Sequence, residues 1–311
     1  MKTAKKSILT LALLSTIPAQ AYANELPSMN WYGVLNVGVQ QSDYDTTNQA
    51  EVVSYASRFG VKGSSELSSD LNLIYQLEWQ VDVADLGGSD NITSRNQFIG
   101  LQGNLGTFKL GRLETATKFT QGGYDIFGDF AGDISGVLAG KFDLSDSISY
   151  SSINVNGFQF HANYIFSETD GVSDGKSAAL TYGDAGLTNQ AFFVAASFDR
   201  DVADFDIDRL VGYGLIGDTR IGVLVQQQTN LLTGEEGDGF SVNLTKLVGK
   251  FNLKTQYQAL DLDQGTNSSW SFGADYRMTD KTTAYAWFTD VDKEVFDSQE
   301  QFFAVGLIHR F

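Results

Sequence analysis

Three aspartates, Asp125, Asp129 and Asp133, stand in one glycine- and aromatic-rich stretch, Gly111–Asp133. Ionised carboxylates held around water do one thing well without a metal or a nucleophile: they bias which charges come near. The stretch is too long for a hairpin turn, and long loops inside a regular β meander are functional or disordered. Its Phe119, Tyr124, Phe127 and Phe130 need a surface to pack on, which argues against disorder. The expectation is a loop that folds into a barrel and narrows it, with the three acids as its working groups. The plainer reading is that an Asp in a Gly-rich loop is only a solvated turn residue, since Asp favours turns.

Other chemistries are poorly supplied. Cysteine is absent, which excludes disulfides, thiolate metal sites and a Cys nucleophile. The two histidines are His161, placed by parity on a polar face beside Phe160, and His309, on an apolar face near the end. No His-Glu-x-x-His occurs, and the one Gly-x-Ser-x-Gly, Gly171-Val172-Ser173-Asp174-Gly175, falls in a long acidic connection rather than on a strand-to-helix turn, so an outer-membrane barrel hydrolase is the remote alternative and no catalytic residue, metal ligand or cofactor is expected. The formal charge of −17 argues against nucleic acid, whose phosphates need clustered Lys and Arg.

The elements that must position those acids are strands. Leu71, Leu73, Tyr75, Leu77, Trp79, Val81 and Val83 alternate with Asn72, Ile74, Gln76, Glu78, Gln80 and Asp82. That run is longer than a soluble strand and fits one crossing a membrane at a tilt. Sixteen such segments follow one another: Trp31–Gln40, Tyr55–Gly63, Leu71–Val83, Ser94–Gly103, Thr107–Leu110, Lys141–Ser151, Gly157–Ser167, Lys176–Tyr182, Leu187–Phe198, Ile207–Ile216, Ile221–Thr229, Phe240–Lys246, Phe251–Asp261, Ser269–Arg277, Thr282–Val291 and Gln301–Phe311. Tight connections such as Asn104–Gly106 alternate with longer acidic ones such as Ser42–Glu51, Asp199–Asp206 and Leu262–Asn267. The fold class expected is therefore all-β, a transmembrane antiparallel β-barrel of about sixteen strands whose third long loop turns inward. A secreted sandwich or solenoid is also two-periodic; strand length, a wholly polar face and the lack of a fixed repeat weigh against them.

The first residues read as a removable address. Lys2, Lys5 and Lys6 precede an apolar run, Ser7–Ala19, and a small-x-small site at Ala21–Ala23. This predicts a signal peptide over residues 1–23 and one barrel domain over 24–311. Removing it takes three lysines and no acids, leaving the chain still more acidic. Both prolines, Pro18 and Pro27, precede the first strand, as uninterrupted ladders require.

Several pieces in order resemble the general diffusion porins of Gram-negative outer membranes, trimeric sixteen-stranded channels. Trp31–Asn36 is similar to their opening strand, and Ser57-Arg58-Phe59-Gly60-Val61-Lys62-Gly63 to their second-strand signature. Gln97–Gly103, Asn104-Leu105-Gly106 and Gly111-Arg112 resemble the fourth strand, turn and fifth strand. Gly128–Asp133 resembles the tip of the constriction loop and Val305–Phe311 the closing strand.

The resemblance implies a homotrimer among lipid and lipopolysaccharide, inserted by the barrel-assembly machinery with Phe311 as assembly signal and passing small hydrophilic solutes. It implies that Asp125, Asp129 and Asp133 face a basic wall of Arg58, Arg95 and Lys141, and that Arg112 lies at a subunit contact. Parity agrees for Arg58, opposite in phase to Phe59, and places Arg95 opposite in phase to Phe98. Val34 stands where some members carry a basic group and Gly128 where the tip has proline, implying a thinner cationic wall, mild cation preference and a less stiff loop. A substrate-specific channel of the same barrel type, for example for sugars, is the nearest rival.

Overall fold

The computed structural model describes residues 28–44, 47–85 and 91–311. The signal peptide reading lies outside the described residues. The strands run β1 (Ser28–Tyr44), β2 (Thr47–Ser54), β3 (Arg58–Ser68), β4 (Leu71–Val81), β5 (Ile92–Gly103), β6 (Gly106–Glu114), β7 (Asp143–Ser151), β8 (Phe158–Ile165) and β9 (Gly175–Gly183). They continue as β10 (Phe192–Val202), β11 (Phe205–Ile216), β12 (Thr219–Asn230), β13 (Glu236–Val248), β14 (Phe251–Leu262), β15 (Gly265–Arg277), β16 (Thr282–Lys293) and β17 (Ser298–Arg310).

Each strand pairs antiparallel with its neighbours, and β1 closes the ring by pairing with β17 from Val34↔Arg310 to Tyr44↔Glu300. On its other edge β1 pairs first with β3 and then with β2, so these two segments form one stave and the barrel has sixteen. The stave breaks at Tyr55-Ala56-Ser57, where Ala56 takes a positive φ of 49°. Asn36 of β1 stays bonded across the break, its N–H donating to Ser57 Oγ at 2.9 Å and its carbonyl accepting from Tyr55 N–H at 2.8 Å. The break swings the Tyr55 ring inward, where it is buried.

Alternation sorts the side chains. Leu35, Val39, Phe108, Leu110, Leu210, Val223, Phe272, Phe303, Val305 and Leu307 are exposed on the outer face, while Gln40, Ser42, Gln256, Gln258, Ser269, Ser271 and Thr289 are buried inside. Grease outside and amides inside is the reverse of a water-soluble protein, and is stable where the outer solvent is acyl chain.

Two expectations need correction. Several of the long acidic connections shrink, because their polar residues extend the ladders above the apolar belt, while residues 166–174 stay a long loop between β8 and β9. Asp199–Asp206 contains only a two-residue turn, Ala203-Asp204, with φ of 50° and 65°, the backbone of a tight hairpin. Leu262–Asn267 likewise turns between β14 and β15, and β1 runs on to Tyr44. Conversely, Asp184 does not make a tight turn. Its carboxylate accepts from the N–H groups of Gly186, Thr188 and Asn189, building a wider loop, so β10 starts at Phe192 rather than Leu187.

The chain closes at a seam. Gly33 and Phe311 exchange backbone hydrogen bonds, Gly33 N–H donating at 3.2 Å and Phe311 N–H at 3.1 Å. The Phe311 ring lies over Gly33 so closely that a Cβ there would collide with it.

Candidate pore constriction

Between β6 and β7 the chain leaves the wall for residues 115–142. Thr115 caps helix α1 (Ala116–Gln121), its hydroxyl accepting from Lys118 N–H at 3.1 Å. The loop then crosses the barrel interior and packs on the inner face of the later strands. Tyr124, Ile134, Val137 and Leu138 bury against Phe193, Ala195, Val211, Tyr213, Leu224 and Leu260. Further along, Phe127 and Phe130 bury against Tyr55, Tyr285, Trp287, Val291 and Phe302. Phe130 meets Tyr55 edge-on at 5.0 Å, so the broken stave supplies the socket for the loop tip.

The loop has few backbone partners of its own, and wall side chains replace them. Asn243 Nδ2 donates to Tyr124 carbonyl at 2.7 Å, Gln256 Nε2 to Gly132 at 2.8 Å and Gln258 Nε2 to Asp133 at 3.1 Å. Arg209 Nη2 donates to Ala139 carbonyl at 2.6 Å, while Gln228 Oε1 accepts from Ala139 N–H at 3.0 Å. Asp199 accepts from Thr117 Oγ at 2.7 Å. Gly132 touches the wall so tightly that a Cβ would strike Ser271, which explains a glycine here. Sequence reading missed this row of amides and the anchoring roles of Arg209 and Asp199. Their signal was present, as polar residues on the inward parity of β10–β14.

The three loop acids come together. Lys141 bonds Asp133 and lies 3.7 Å from Asp125 and 3.8 Å from Asp129. Arg58 Nη1 reaches Asp129 Oδ2 at 3.4 Å. Asp133 also accepts from Asp129 N–H at 2.9 Å and from the Ser135 N–H and hydroxyl at 2.9 and 2.8 Å. It therefore staples the tip, with Asp129 held at a positive φ of 72°. Asp125 is sealed, 7% exposed, and neither carboxylate oxygen has a hydrogen bond among the described residues.

Protonation follows from this packing. Burial, and then the charge of Asp133, push the Asp125 carboxyl up to about 8 against the pull of Lys141. Burial also pushes Asp133 upward, but Lys141 and the donated N–H groups outweigh it and hold it below the usual carboxylate range. Burial lowers the Lys141 ammonium, yet the three acids more than offset that and raise it. With Asp125 holding its proton near neutral pH, two acids of the cluster are left to face the two basic side chains, Lys141 and Arg58.

One member of the expected basic wall is elsewhere. Lys141 is on the loop's return limb among the acids, because β7 begins only at Asp143. Arg95 is on the wall but is tied to it, donating from Nε to Glu78 at 2.8 Å and from Nη1 to Gln80 at 2.9 Å; Glu78 also accepts from Tyr32 at 2.9 Å. Arg95 and Phe98 are not opposite in phase. The register slips between Leu77/Gln97 and Trp79/Ser94, and this bulge resets alternation so that Phe98 also faces inward under Lys109. Arg112 is half-buried on β6 beside a bulge, its Nη1 donating to Ser145 at 3.4 Å. His161 is buried with Nδ1 2.8 Å from Ser151 Oγ, and His309 is exposed with Nδ1 2.9 Å from Thr282 Oγ.

A family model described as Gram-negative porin matches residues 9–294. Major outer membrane protein P.IB of Neisseria sicca is 32% identical over 173 residues, 51% of this chain and 46% of that protein. P.IB of Neisseria gonorrhoeae is 29% identical over 202 residues, 60% of this chain and 56% of its own. The chain thus spans about half the length of these relatives. Among solved structures, the anion-selective porin from Comamonas acidovorans superposes with a TM-score of 0.74 at 18% identity, covering 92% of this chain and 100% of that one. The trimer form of OmpT, an outer membrane protein of Vibrio cholerae, gives 0.70 at 17%, covering 92% and 100%. At these identities the two structures show the fold.

Proposed function

Because this chain belongs to the Gram-negative porin family and resides in the outer membrane, we propose that it forms a water-filled channel for passive diffusion of small hydrophilic solutes and ions. The observation that carries this reading is the inward loop, docked on β10–β17 and presenting Asp129 to Arg58 of the opposite wall. The wet passage runs between that loop and the inner face of β1–β6. There Tyr32, Arg58, Glu78 and Arg95 set a transverse field that orients dipolar solutes and penalises apolar ones. Charge pairs about 4 Å apart at a partly wet site interact by roughly 1–4 kcal/mol, enough to bias flux and too little to trap a solute.

The channel is non-specific rather than sugar-specific in this reading. Tyr55, Tyr213, Tyr285 and Trp287 are spent on packing the loop, so these inner rings form no slide along the path. Its ion preference is mildly cationic. The constriction is nearly neutral, and the preference comes from the acidic rim, where Asp201, Asp204, Asp206, Asp208, Glu236, Asp238, Asp261 and Asp263 crowd the loop ends of β10–β15. The assembly is a homotrimer, with Arg112 at the contact and Phe311 as assembly signal.

Planar-bilayer recording tests this directly. Open steps in multiples of three, with a reversal potential favouring potassium over chloride, are expected; purified protein that forms no conductance overturns the channel.

A further inference from the structure

We propose that the lumen also holds a pocket for a short monocarboxylate, set between the inner face of β5–β8 and α1 and anchored by Lys109. The proposal rests on the reading of the lumen as wet. Lys109 lies between Phe108 and Leu110, which point outward, so its ammonium points inward. There it sits 4.6 Å from the centre of the Phe98 ring, and among the described residues no carboxylate or hydrogen-bond acceptor satisfies it. The inner cations Arg58, Arg95, Lys118 and Lys254 have acidic partners, while Arg209 is bonded to Gln226 and loop carbonyls and Arg220 is packed on the Tyr213 ring against Gly123. The acid nearest this pocket, Glu114 on its rim, is taken up by Lys118 at 3.5 Å.

Around Lys109 is a half-open cavity of about 80 Å³, lined by Asn96, Phe98, Phe119, Ser149 and His161. His161 is 4% exposed. Its Nδ1 lies 2.8 Å from Ser151 Oγ, and its buried Nε2 has no hydrogen-bond partner among the described residues. The Asn96 amide and the Ser149 hydroxyl have no other hydrogen-bond partner among the described residues. Phe119 packs at a tilt against the His161 ring, centroids 4.1 Å apart, yet stays 42% exposed.

One ammonium matches one negative charge, whereas a phosphate dianion would leave charge uncompensated beside two benzene faces. Those faces instead suit hydrocarbon. The volume is that of two to three waters at ~30 Å³ each, room for a carboxylate head with its chain leading out along Phe119.

Butyrate is the probe. Currents are recorded as potassium butyrate replaces potassium chloride at constant ionic strength, each protein normalised to its own chloride conductance, and butyrate is titrated calorimetrically into detergent-purified protein. Saturable current loss and saturable heat are expected from the wild type. Lys109→Gln should raise the half-saturating concentration about tenfold or more, as losing a charge-assisted bond does. Phe119→Ala, a change on the loop rather than the wall, should also weaken saturation. Unchanged saturation in Lys109→Gln, or absence of saturation in the wild type, overturns the pocket. Equal saturation by phosphate overturns the carboxylate assignment. Lys109-dependent heat from protein that conducts no current sustains the pocket and overturns the channel, so the two failures are distinguishable.

Discussion

Arg58 on the wall and Asp129 on the loop tip touch, their charged atoms 3.4 Å apart across the interior of the barrel. Sequence suggests an acid facing a base over an open gap; the structure closes that gap at one point and leaves the flanking wall to form the passage.

Asp129→Asn should leave Arg58 uncompensated and move the reversal potential toward chloride, and Arg58→Gln should move it toward potassium. The shift in permeability ratio should be a few-fold at about 0.1 M salt and shrink toward 1 M, as the screening length falls from about 10 to 3 Å. Bilayer reversal potentials across a salt gradient read both.

Asp125 gives a pH dependence of known sign. Its carboxyl is neutral in the folded loop until about pH 8 but ionised from about pH 4 once exposed. Docking the loop therefore takes up a proton between these values. Loop stability should be highest at about pH 4, decline as pH rises, and level off above about 8, where the docked acid ionises too; at lower pH it should fall again as Asp133, held low by Lys141 and its N–H donors, takes up a proton. Asp125→Asn should remove that slope, and also the gain in potassium preference that wild type shows above pH 8. Hydrogen exchange of residues 126–133 and reversal potentials measure the two effects.

Truncating Phe130 should undock the tip from Tyr55, Tyr285 and Trp287. Phe130→Ala should cost the loop about 3–5 kcal/mol of docking energy and give larger, noisier channels in an intact barrel. Gln256→Leu leaves the Gly132 carbonyl unpaired and should cost about 1–3 kcal/mol, with a milder rise in current noise.

Leu210, 58% exposed on the outer face of β11, reports the surrounding solvent. Leu210→Arg should destabilise the barrel in lipid by about 2–4 kcal/mol, whereas Gln76→Arg on the inner face should be mild. Urea-dependent unfolding in vesicles distinguishes them.

The wall was legible because alternation is a local property: each residue's face follows from its neighbour's until something shifts the count. What shifts it is not local. The bulge that brings Phe98 inside with Arg95 and the break that turns Tyr55 inward are marked by no proline and by no run of glycines. The loop's acids were legible by type and their meeting with Arg58 by resemblance. Burial decides the rest. Asp133 spends its oxygens on the loop's own backbone and Asp125 keeps its proton, while Lys141 joins the acids because the strand starts two residues later than its pattern suggests. Gln256, Gln258 and Asn243 read as ordinary wet lining, and only the path of residues 115–142 makes them anchors.

The seam between Gly33 and Phe311 ties the first described strand to the final residue of the chain. Because β1 closes on β17, the entropic toll of ring closure falls on one encounter between strands far apart in sequence. Until it occurs, both bordering strands carry unpaired edges, each an open template for pairing with another chain.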